Sequence, residues 1–158
     1  MPQPKTNAMR ILTGAGVKYD THAYENKGEA IDGVSVAHML GLPPEKIYKT
    51  LVTQGASREY FVFVIPAAEE LDLKKAAQAV GEKNVEMIHV KDINRVTGYL
   101  RGGCSPVGMK KQFRTVLHTS CEDLPTILVS AGKIGQQVEL APQDLISLIG
   151  AHTADIVK

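Results

Sequence analysis

The stretch GGCSPVG, residues 102–108, contains the densest group of residues that could take part in chemistry. It offers two nucleophiles, the thiol of Cys104 and the hydroxyl of Ser105, next to the rigid ring of Pro106. The three glycines in this stretch let the backbone pass close to a ligand. The chemistry of the loop could therefore belong to the thiol, to the hydroxyl or to the backbone N–H groups of residues 102–105.

Cys104 is a candidate catalytic thiol. Arg101 and Lys110 lie on either side of it in the sequence, and nearby positive charge lowers the pKa of a thiol. A catalytic thiol also needs a base within hydrogen-bond reach, for which His118 is a candidate. The alternative is that Cys104 is a small, half-buried loop residue. Ser105 is a weaker candidate, because a proline follows it directly and the sequence has no GxSxG motif.

The glycines also allow the loop backbone to act on a substrate. Several N–H groups that point at one oxygen stabilise the negative charge that develops during acyl transfer, by about 3 kcal/mol per donor. Pro106 has no N–H group, so the candidate donors belong to residues 102–105. A plain connecting turn is the alternative, since glycine clusters are common in loops.

Lys49 is the candidate cation. It lies in IYKTLV, residues 47–52, a segment whose β-branched and apolar residues predict a strand. In a strand, Ile47, Lys49 and Leu51 share one face. A lysine between two apolar residues either extends to solvent at a sheet edge or lines a cavity and meets an anion. The pattern leaves both interpretations open.

Composition excludes several classes of function. The net charge is +1, from 18 basic and 17 acidic residues, which argues against a polybasic surface for binding DNA. Residues 95–121 nevertheless contain five basic and no acidic residues, which favours a local anion-binding patch around GGCSPVG. No apolar run reaches the roughly 18 residues that a membrane span requires, and the first ten residues lack the apolar core of a secretory signal. With two cysteines and no disulfide framework, these features predict a cytoplasmic protein.

No metal, nucleotide or other cofactor is predicted. The five histidines are scattered, and neither an HExxH nor a CxxC motif is present. GGCSPVGMK lacks the GxxxxGK[ST] spacing of a P-loop, because Met109 separates Gly108 from Lys110.

The elements that must position these residues are predicted to form one domain over residues 1–158. Apolar alternation or continuous apolar runs predict strands over 17–23, 47–52, 60–65, 115–118, 126–131 and 137–141, and a last one around 156–157. Helical spacing with capping residues or glycine stops predicts helices after Thr6, from a Ser35 cap, within 71–80, within 92–97 and from Pro142. Because several strands are adjacent in sequence, the expected fold is α/β of the α+β type. It is a mixed, mainly antiparallel sheet or barrel with helices packed around it.

Five blocks of the sequence resemble the bacterial YbaK family of Cys-tRNA(Pro) deacylases, relatives of the editing domain of bacterial prolyl-tRNA synthetase. The blocks are KTNAMRIL, IYKTLV, VTGYLRGGCSPVGMKK, VSAGKIGQQVELAP and DLISL. They keep the family's order over nearly the whole chain, and the third block is the most specific. The resemblance implies an aminoacyl-tRNA deacylase that binds the acceptor end of Cys-tRNA(Pro). It makes prolyl-tRNA synthetase a candidate partner and implies neither a membrane nor DNA as a partner.

The resemblance also implies roles for single residues. Lys49 corresponds to the lysine most important for activity in the family, and Gly103 is the residue expected to abut the aminoacyl ester. The other expected substrate-binding residues are Tyr24, Thr50, Gly102, Cys104, Ser105, Pro106 and Ser130. The expected RNA contacts are Arg101, Lys110 and Lys111. Ile134 stands where relatives often have a basic residue, which weakens the expectation of an RNA contact there.

The expected reaction needs no nucleophile from the protein. The ester that joins an amino acid to tRNA is already activated, and the thiol of a cysteinyl group can attack its own carbonyl to give a cyclic thiolactone. Effective molarities for oriented internal attack reach about 10⁵–10⁸ M. On this interpretation Cys104 is part of the loop wall, and the enzyme is a lyase rather than a hydrolase. The alternatives are water-dependent deacylation of alanine or another small residue on tRNA(Pro), and a non-catalytic module that binds tRNA or a synthetase.

Overall fold

The computed structural model describes residues 5–158, which contain five α-helices and eight β-strands. The helices are α1 (Asn7–Gly14), α2 (Gly33–Leu40), α3 (Leu73–Val80), α4 (Ile93–Thr97) and α5 (Pro142–Ile149). The strands are β1 (Asp20–Ala23), β2 (Tyr48–Gly55), β3 (Tyr60–Pro66), β4 (Val85–Met87), β5 (Arg114–His118), β6 (Ile127–Ser130), β7 (Gln136–Leu140) and β8 (His152–Ala154).

The strands form two sheets. β1, β7 and β6 pair antiparallel in a three-stranded sheet. The second sheet has the order β4-β2-β3-β5-β8, and its β3–β5 and β5–β8 pairs are parallel. A bridge between Ile47 and Leu128 links the start of β2 to β6. The predicted mixed, mainly antiparallel architecture is confirmed, whereas the barrel alternative is wrong because the strands divide between two open sheets.

β3 lies in the middle of the larger sheet and is covered on both faces. Phe61, Phe63 and Ile65 pack into one apolar cluster, and Val62 and Val64 pack into the other. A strand buried on both faces has no polar side, so it appears in the sequence as a continuous apolar run. The strand predicted over 60–65 is confirmed, and it forms the rigid support for β2 along the pairs from Tyr48–Pro66 to Gln54–Tyr60.

The helix ends follow from local capping chemistry. Thr6 caps α1 as predicted, since its hydroxyl accepts the N–H of Met9. The prediction that Ser35 caps α2 is wrong. The carboxylate of Asp32 accepts the Ser35 N–H at 2.9 Å and its hydroxyl at 2.8 Å, so the helix begins at Gly33. Asp and Ser are equally favourable at the N-cap, and Asp32, which comes first in the sequence, occupies it here.

Three strand predictions differ from the structure. β1 begins at Asp20 rather than at residue 17, because it pairs with β7 over only four residues. The last strand is β8 rather than residues 156–157. Ile156 is instead fully buried in the core, and Val157 makes only an isolated bridge to Leu71. β4 was not predicted, since its three residues owe their strand structure to pairing with Thr53–Gly55.

Two general features bear on function. None of the helices within residues 5–158 is long and apolar enough to cross a bilayer. Over the same residues, no three His, Cys, Asp or Glu side chains are grouped so that they could hold a metal ion.

A partly buried ionic cluster joins the smaller sheet to the turn before β2. Glu139 on β7 accepts from Lys46 Nζ at 2.7 Å and lies 2.8 Å from His22 Nε2 on β1. It also accepts the hydroxyl of Thr126. These hydrogen bonds, with Lys46 as the largest contribution, lower the pKa of Glu139 to about 2. The side chains of Glu139 and Lys46 are only 15% and 20% exposed, so the surrounding solvent screens this pair weakly.

We predict that Glu139→Gln lowers the free energy of unfolding by about 3 kcal/mol at pH 7, because the charged carboxylate is favoured in the folded state. A depressed pKa stabilises the fold above the unfolded value of 4.5, and this stabilisation is lost as the pH falls toward 2. Urea unfolding of both proteins should therefore show a difference that shrinks steadily below pH 4.5. Glu86→Gln, at an exposed position of β4, is the control. A difference that does not change with pH would contradict the assignment.

Candidate functional site

A cavity of about 440 Å³ lies between β2, the residues before α2 and the loop that precedes β5. Its wall includes Tyr24, Asp32, Ile47–Val52, Met87, Ile88, Val90, Ile93, Arg101, Gly102, Cys104, Ser130 and Gln137. Small-molecule sites in proteins have volumes of roughly 300–1,000 Å³, and this cavity falls at the lower end of that range. It is large enough for an amino acid with part of a sugar.

Lys49 lines this cavity. β4 pairs only with Thr53–Gly55, so the first half of β2 borders the cavity rather than another strand on that side. The Lys49 ammonium has no hydrogen bond or ion pair with any residue from 5 to 158. Burial lowers its pKa, and the charges of Glu70 and Glu69 partly offset this effect. A half-buried ammonium without a partner favours an anion or a developing negative charge beside it.

Two hydroxyl-bearing residues take different roles at the cavity wall. The Thr50 hydroxyl is buried and has no hydrogen-bond partner within the described chain, although the residue borders the cavity. Ser130 ends β6, and its hydroxyl accepts the N–H of Gly132 at 3.1 Å. Ser130 therefore shapes the turn that follows β6 while its residue borders the cavity. Tyr24 borders the cavity on the other side and donates its N–H to Gly135 at 2.9 Å.

The glycine loop is held in place by close backbone contacts. Gly102 has φ of +84°, and a Cβ at this position would lie 2.7 Å from the Cβ of Ala30. A Cβ on Gly103 would lie 3.1 Å from the backbone nitrogen of Ile134 and 3.2 Å from the backbone of Lys133. Only glycine allows both approaches without displacing the neighbouring segments.

Two loop N–H groups remain available to a ligand. The Gly103 N–H donates to the Leu100 carbonyl at 2.9 Å, so this donor is used by the turn itself. The N–H groups of Gly102 and Cys104 have no partner among residues 5–158, and both residues line the cavity. Of the four residues predicted to supply donors, these two are therefore the ones that combine a free N–H with a place in the cavity wall.

Gly103, Ser105 and Pro106 are buried and do not belong to the cavity wall. The Ser105 hydroxyl accepts the N–H of Val107 at 3.2 Å, so it braces its own loop. The predicted roles of these three residues in substrate binding or catalysis stay predictions. Their position indicates that they act by holding the Gly102 and Cys104 backbone.

The three predicted RNA contacts separate in the structure. Arg101 is exposed and borders the cavity. Lys110 lies along Gly98 and donates to the Arg95 carbonyl at 3.3 Å, and exposed Lys111 follows it. Neither lysine belongs to the cavity wall, so any RNA contact they make lies away from it.

The structure does not support Cys104 as a nucleophile. Burial raises the pKa of its thiol to about 11, although a hydrogen bond with Thr97 acts in the opposite direction. The candidate base His118 borders a different cavity, where its Nδ1 accepts the Ile156 N–H at 3.3 Å. Cys104 therefore has neither the thiolate character nor the neighbouring base that nucleophilic catalysis needs.

Gln137 is a cavity residue that the sequence analysis did not identify as part of the site. It lies on β7 opposite Ser130 on β6 and is only 7% exposed. Its Oε1 is buried and has no hydrogen-bond partner among the described residues. The sequence feature that could have identified Gln137 is a polar side chain at a strand position whose pattern requires burial.

Comparisons with known proteins agree on one family. A family model described as an aminoacyl-tRNA editing domain matches residues 29–148. The chain is 48% identical to EbsC of Enterococcus faecalis, which has been proposed to be a Cys-tRNA(Pro)/Cys-tRNA(Cys) deacylase. The match covers 98% of this chain and 94% of EbsC. A proline–tRNA ligase of Trichlorobacter lovleyi is 25% identical over 78% of this chain, which corresponds to 21% of the ligase.

One solved structure has the same fold over nearly its whole length. It is the crystal structure of a protein proposed to be a trans-editing enzyme for prolyl-tRNA synthetase. It superposes with a TM-score of 0.81 at 22% identity and covers 98% of this chain and 99% of its own. At this level of identity the match establishes the fold.

We predict that the Cys104 thiol reacts slowly with iodoacetamide, because only the thiolate is nucleophilic. At pH 8 its alkylation should be about 10²-fold slower than that of free cysteine, and the rate should rise about tenfold per pH unit up to pH 10. Peptide mapping by mass spectrometry distinguishes Cys104 from the fully buried Cys121. A rate that is already maximal near pH 7 would show a stabilised thiolate and restore the thiol-enzyme interpretation.

Proposed function

Because this chain belongs to the aminoacyl-tRNA editing domain family, we propose that it deacylates mischarged Cys-tRNA(Pro), with Cys-tRNA(Cys) as a second substrate. The observation that carries the proposal is the cavity itself. Within residues 5–158, it combines an ammonium that makes no hydrogen bond or ion pair with two backbone N–H groups that have no partner, and its one thiol, that of Cys104, is not activated. The nucleophile must then come from the substrate or from water.

The proposed reaction uses the thiol of the cysteinyl group. Its sulfur forms a bond to the ester carbonyl carbon, the bond from that carbon to the ribose oxygen breaks, and the thiol proton passes to the ribose oxygen. The product is a four-membered ring made of the sulfur, Cβ, Cα and the carbonyl carbon. This thiolactone is strained, so holding the thiol against the carbonyl and stabilising the oxyanion are both needed.

Each group of the cavity has a defined task in this mechanism. The N–H groups of Gly102 and Cys104 donate to the carbonyl oxygen as it gains negative charge. The Lys49 ammonium stabilises negative charge at the acyl-ribose end of the substrate. Thr50 and Gln137 line the cavity and carry polar atoms without a partner among the described residues, so we assign them to the polar groups of the amino acid. No step uses a side chain of the protein as the attacking group.

The biological reason follows from the similar size of proline and cysteine. A synthetase pocket distinguishes small isosteric side chains by only about 10²-fold, so a second site that removes the wrong amino acid improves accuracy. The alignment with part of a proline–tRNA ligase supports the same division of labour, with this chain acting in trans. We propose a cytoplasmic location, where aminoacyl-tRNA is used, and prolyl-tRNA synthetase as the partner that selects the tRNA.

We predict that Lys49→Met lowers kcat/KM for Cys-tRNA(Pro) by about 10²–10³-fold, the loss that follows removal of one stabilising group. The protein should stay folded, because the variant removes a half-buried charge that makes no hydrogen bond or ion pair with residues 5–158, and only the more distant charges of Glu70 and Glu69 act on it. Initial rates of cysteine release and circular dichroism provide the two measurements. Lys74→Met, at an exposed position of α3, is the control. Wild-type kinetics in Lys49→Met would remove the central residue of the proposal.

We predict that cysteine is released from tRNA(Pro) much faster than serine or alanine charged on the same tRNA. Serine differs from cysteine in one atom, and its hydroxyl is a far weaker nucleophile near neutral pH. The rate for cysteine should also rise with pH toward the thiol pKa, which is ordinarily about 8.5. A panel of charged tRNAs with mass spectrometry of the products makes the comparison. Equal rates for alanine and cysteine would indicate attack by water, and binding of tRNA without any release would indicate a non-catalytic module.

A further inference from the structure

The mouth of the cavity carries exposed apolar side chains. The large apolar residues that are exposed within residues 5–158 are Met39, Leu73, Met87, Val90 and Leu100. Two of these five line the cavity, Met87 with 46% and Val90 with 55% of its surface exposed. With Ile88 and Ile93 they form the apolar rim, which runs from the end of β4 to the first residue of α4.

The apolar rim needs an occupant, because exposed apolar groups beside a cavity usually mark a binding surface. The rim has four side chains; the charged residues Lys91 and Asp92 lie between Val90 and Ile93, and Arg95 follows two residues after Ile93. A stable protein interface uses about 20–30 residues on each side, and the four-residue rim is far smaller than that. A ligand with one flat, apolar face about the size of an aromatic ring fits the rim better than a protein partner does.

We propose that the apolar rim binds the base of the terminal adenosine of the aminoacylated RNA. This inference rests on the proposed function. The amino acid and the base are attached to the same ribose, so a base must lie at the mouth when its aminoacyl group is inside the cavity. The cavity of about 440 Å³ has room for the aminoacyl group and the sugar, and the rim residues belong to its wall, so a base on that sugar lies within their reach.

The chemistry of the rim fits a base. Bases bind proteins through their flat faces, which pack against side chains without requiring a particular sequence. Met87 is suited to this contact because its thioether is polarisable and its side chain adapts to the shape of a ring. The exposed guanidinium of Arg101 on the same cavity wall can pair with the phosphate of that nucleotide.

The proposal is tested by direct binding, without relying on deacylation. Two short single-stranded RNAs carry cysteine through a stable amide on the terminal sugar; one ends in adenosine and the other in the same ribose without a base. Fluorescence anisotropy should show that the wild-type protein binds the adenosine RNA about 5- to 10-fold more tightly, at the lower end of base-stacking effects. In Met87→Ser/Val90→Ser this preference should fall to about 2-fold or less.

Met39→Ser is the matched control, because Met39 is 50% exposed on α2 and does not belong to the cavity wall. It should keep the wild-type preference. Full preference in the double variant would overturn the proposal, as would a double variant that binds both RNAs normally but no longer associates with prolyl-tRNA synthetase. Deacylation by the wild-type protein is measured separately. If it is absent while the base preference depends on the rim, the proposed function fails and the rim site stands.

Discussion

The close approach of three backbone segments is the constraint on which the site depends. The Gly102–Gly103 backbone lies against Ala30 on one side and against Lys133 and Ile134 on the other. A side chain at Gly102 would clash with Ala30, and one at Gly103 would push the backbone of Lys133 and Ile134 away, so the close packing requires both glycines. This packing fixes the N–H groups of Gly102 and Cys104 at the cavity wall. A rigid set of donors has little reorganisation to undergo when negative charge develops on a substrate.

The second requirement is a cation in an environment of reduced polarity. β3 is buried on both faces and holds β2 in register, which places Lys49 at the cavity rather than at an exposed edge. Burial makes this ammonium less stable when it is alone and therefore more favourable to a nearby anion. The same burial keeps the Cys104 thiol protonated. Burial thus favours the binding of an anion beside Lys49. It also prevents the Cys104 thiol from competing with the thiol of the substrate.

The main elements could be predicted because their signals are local. Thr6 and Gly81 act through neighbouring residues, and the apolar run of β3 reflects burial on both faces. β4 could not be predicted, since its strand structure depends on pairing with distant residues. Periodicity placed Lys49 on an apolar face, and the pattern alone favoured a sheet edge over a cavity. The sequence does not show that the Leu100 carbonyl accepts the Gly103 N–H and leaves those of Gly102 and Cys104 without a partner. It also does not show that β7 pairs with β6 so that Gln137 lies opposite Ser130.

The most direct measurement is a crystal structure of the protein with a cysteinyl-adenosine analogue in which a stable amide replaces the ester. We expect the carbonyl oxygen to accept a hydrogen bond from the N–H group of Gly102 or Cys104, and the ammonium of Lys49 to lie beside the sugar or its phosphate. An acyl group that binds outside the cavity, or a carbonyl that contacts neither backbone N–H group, would contradict it.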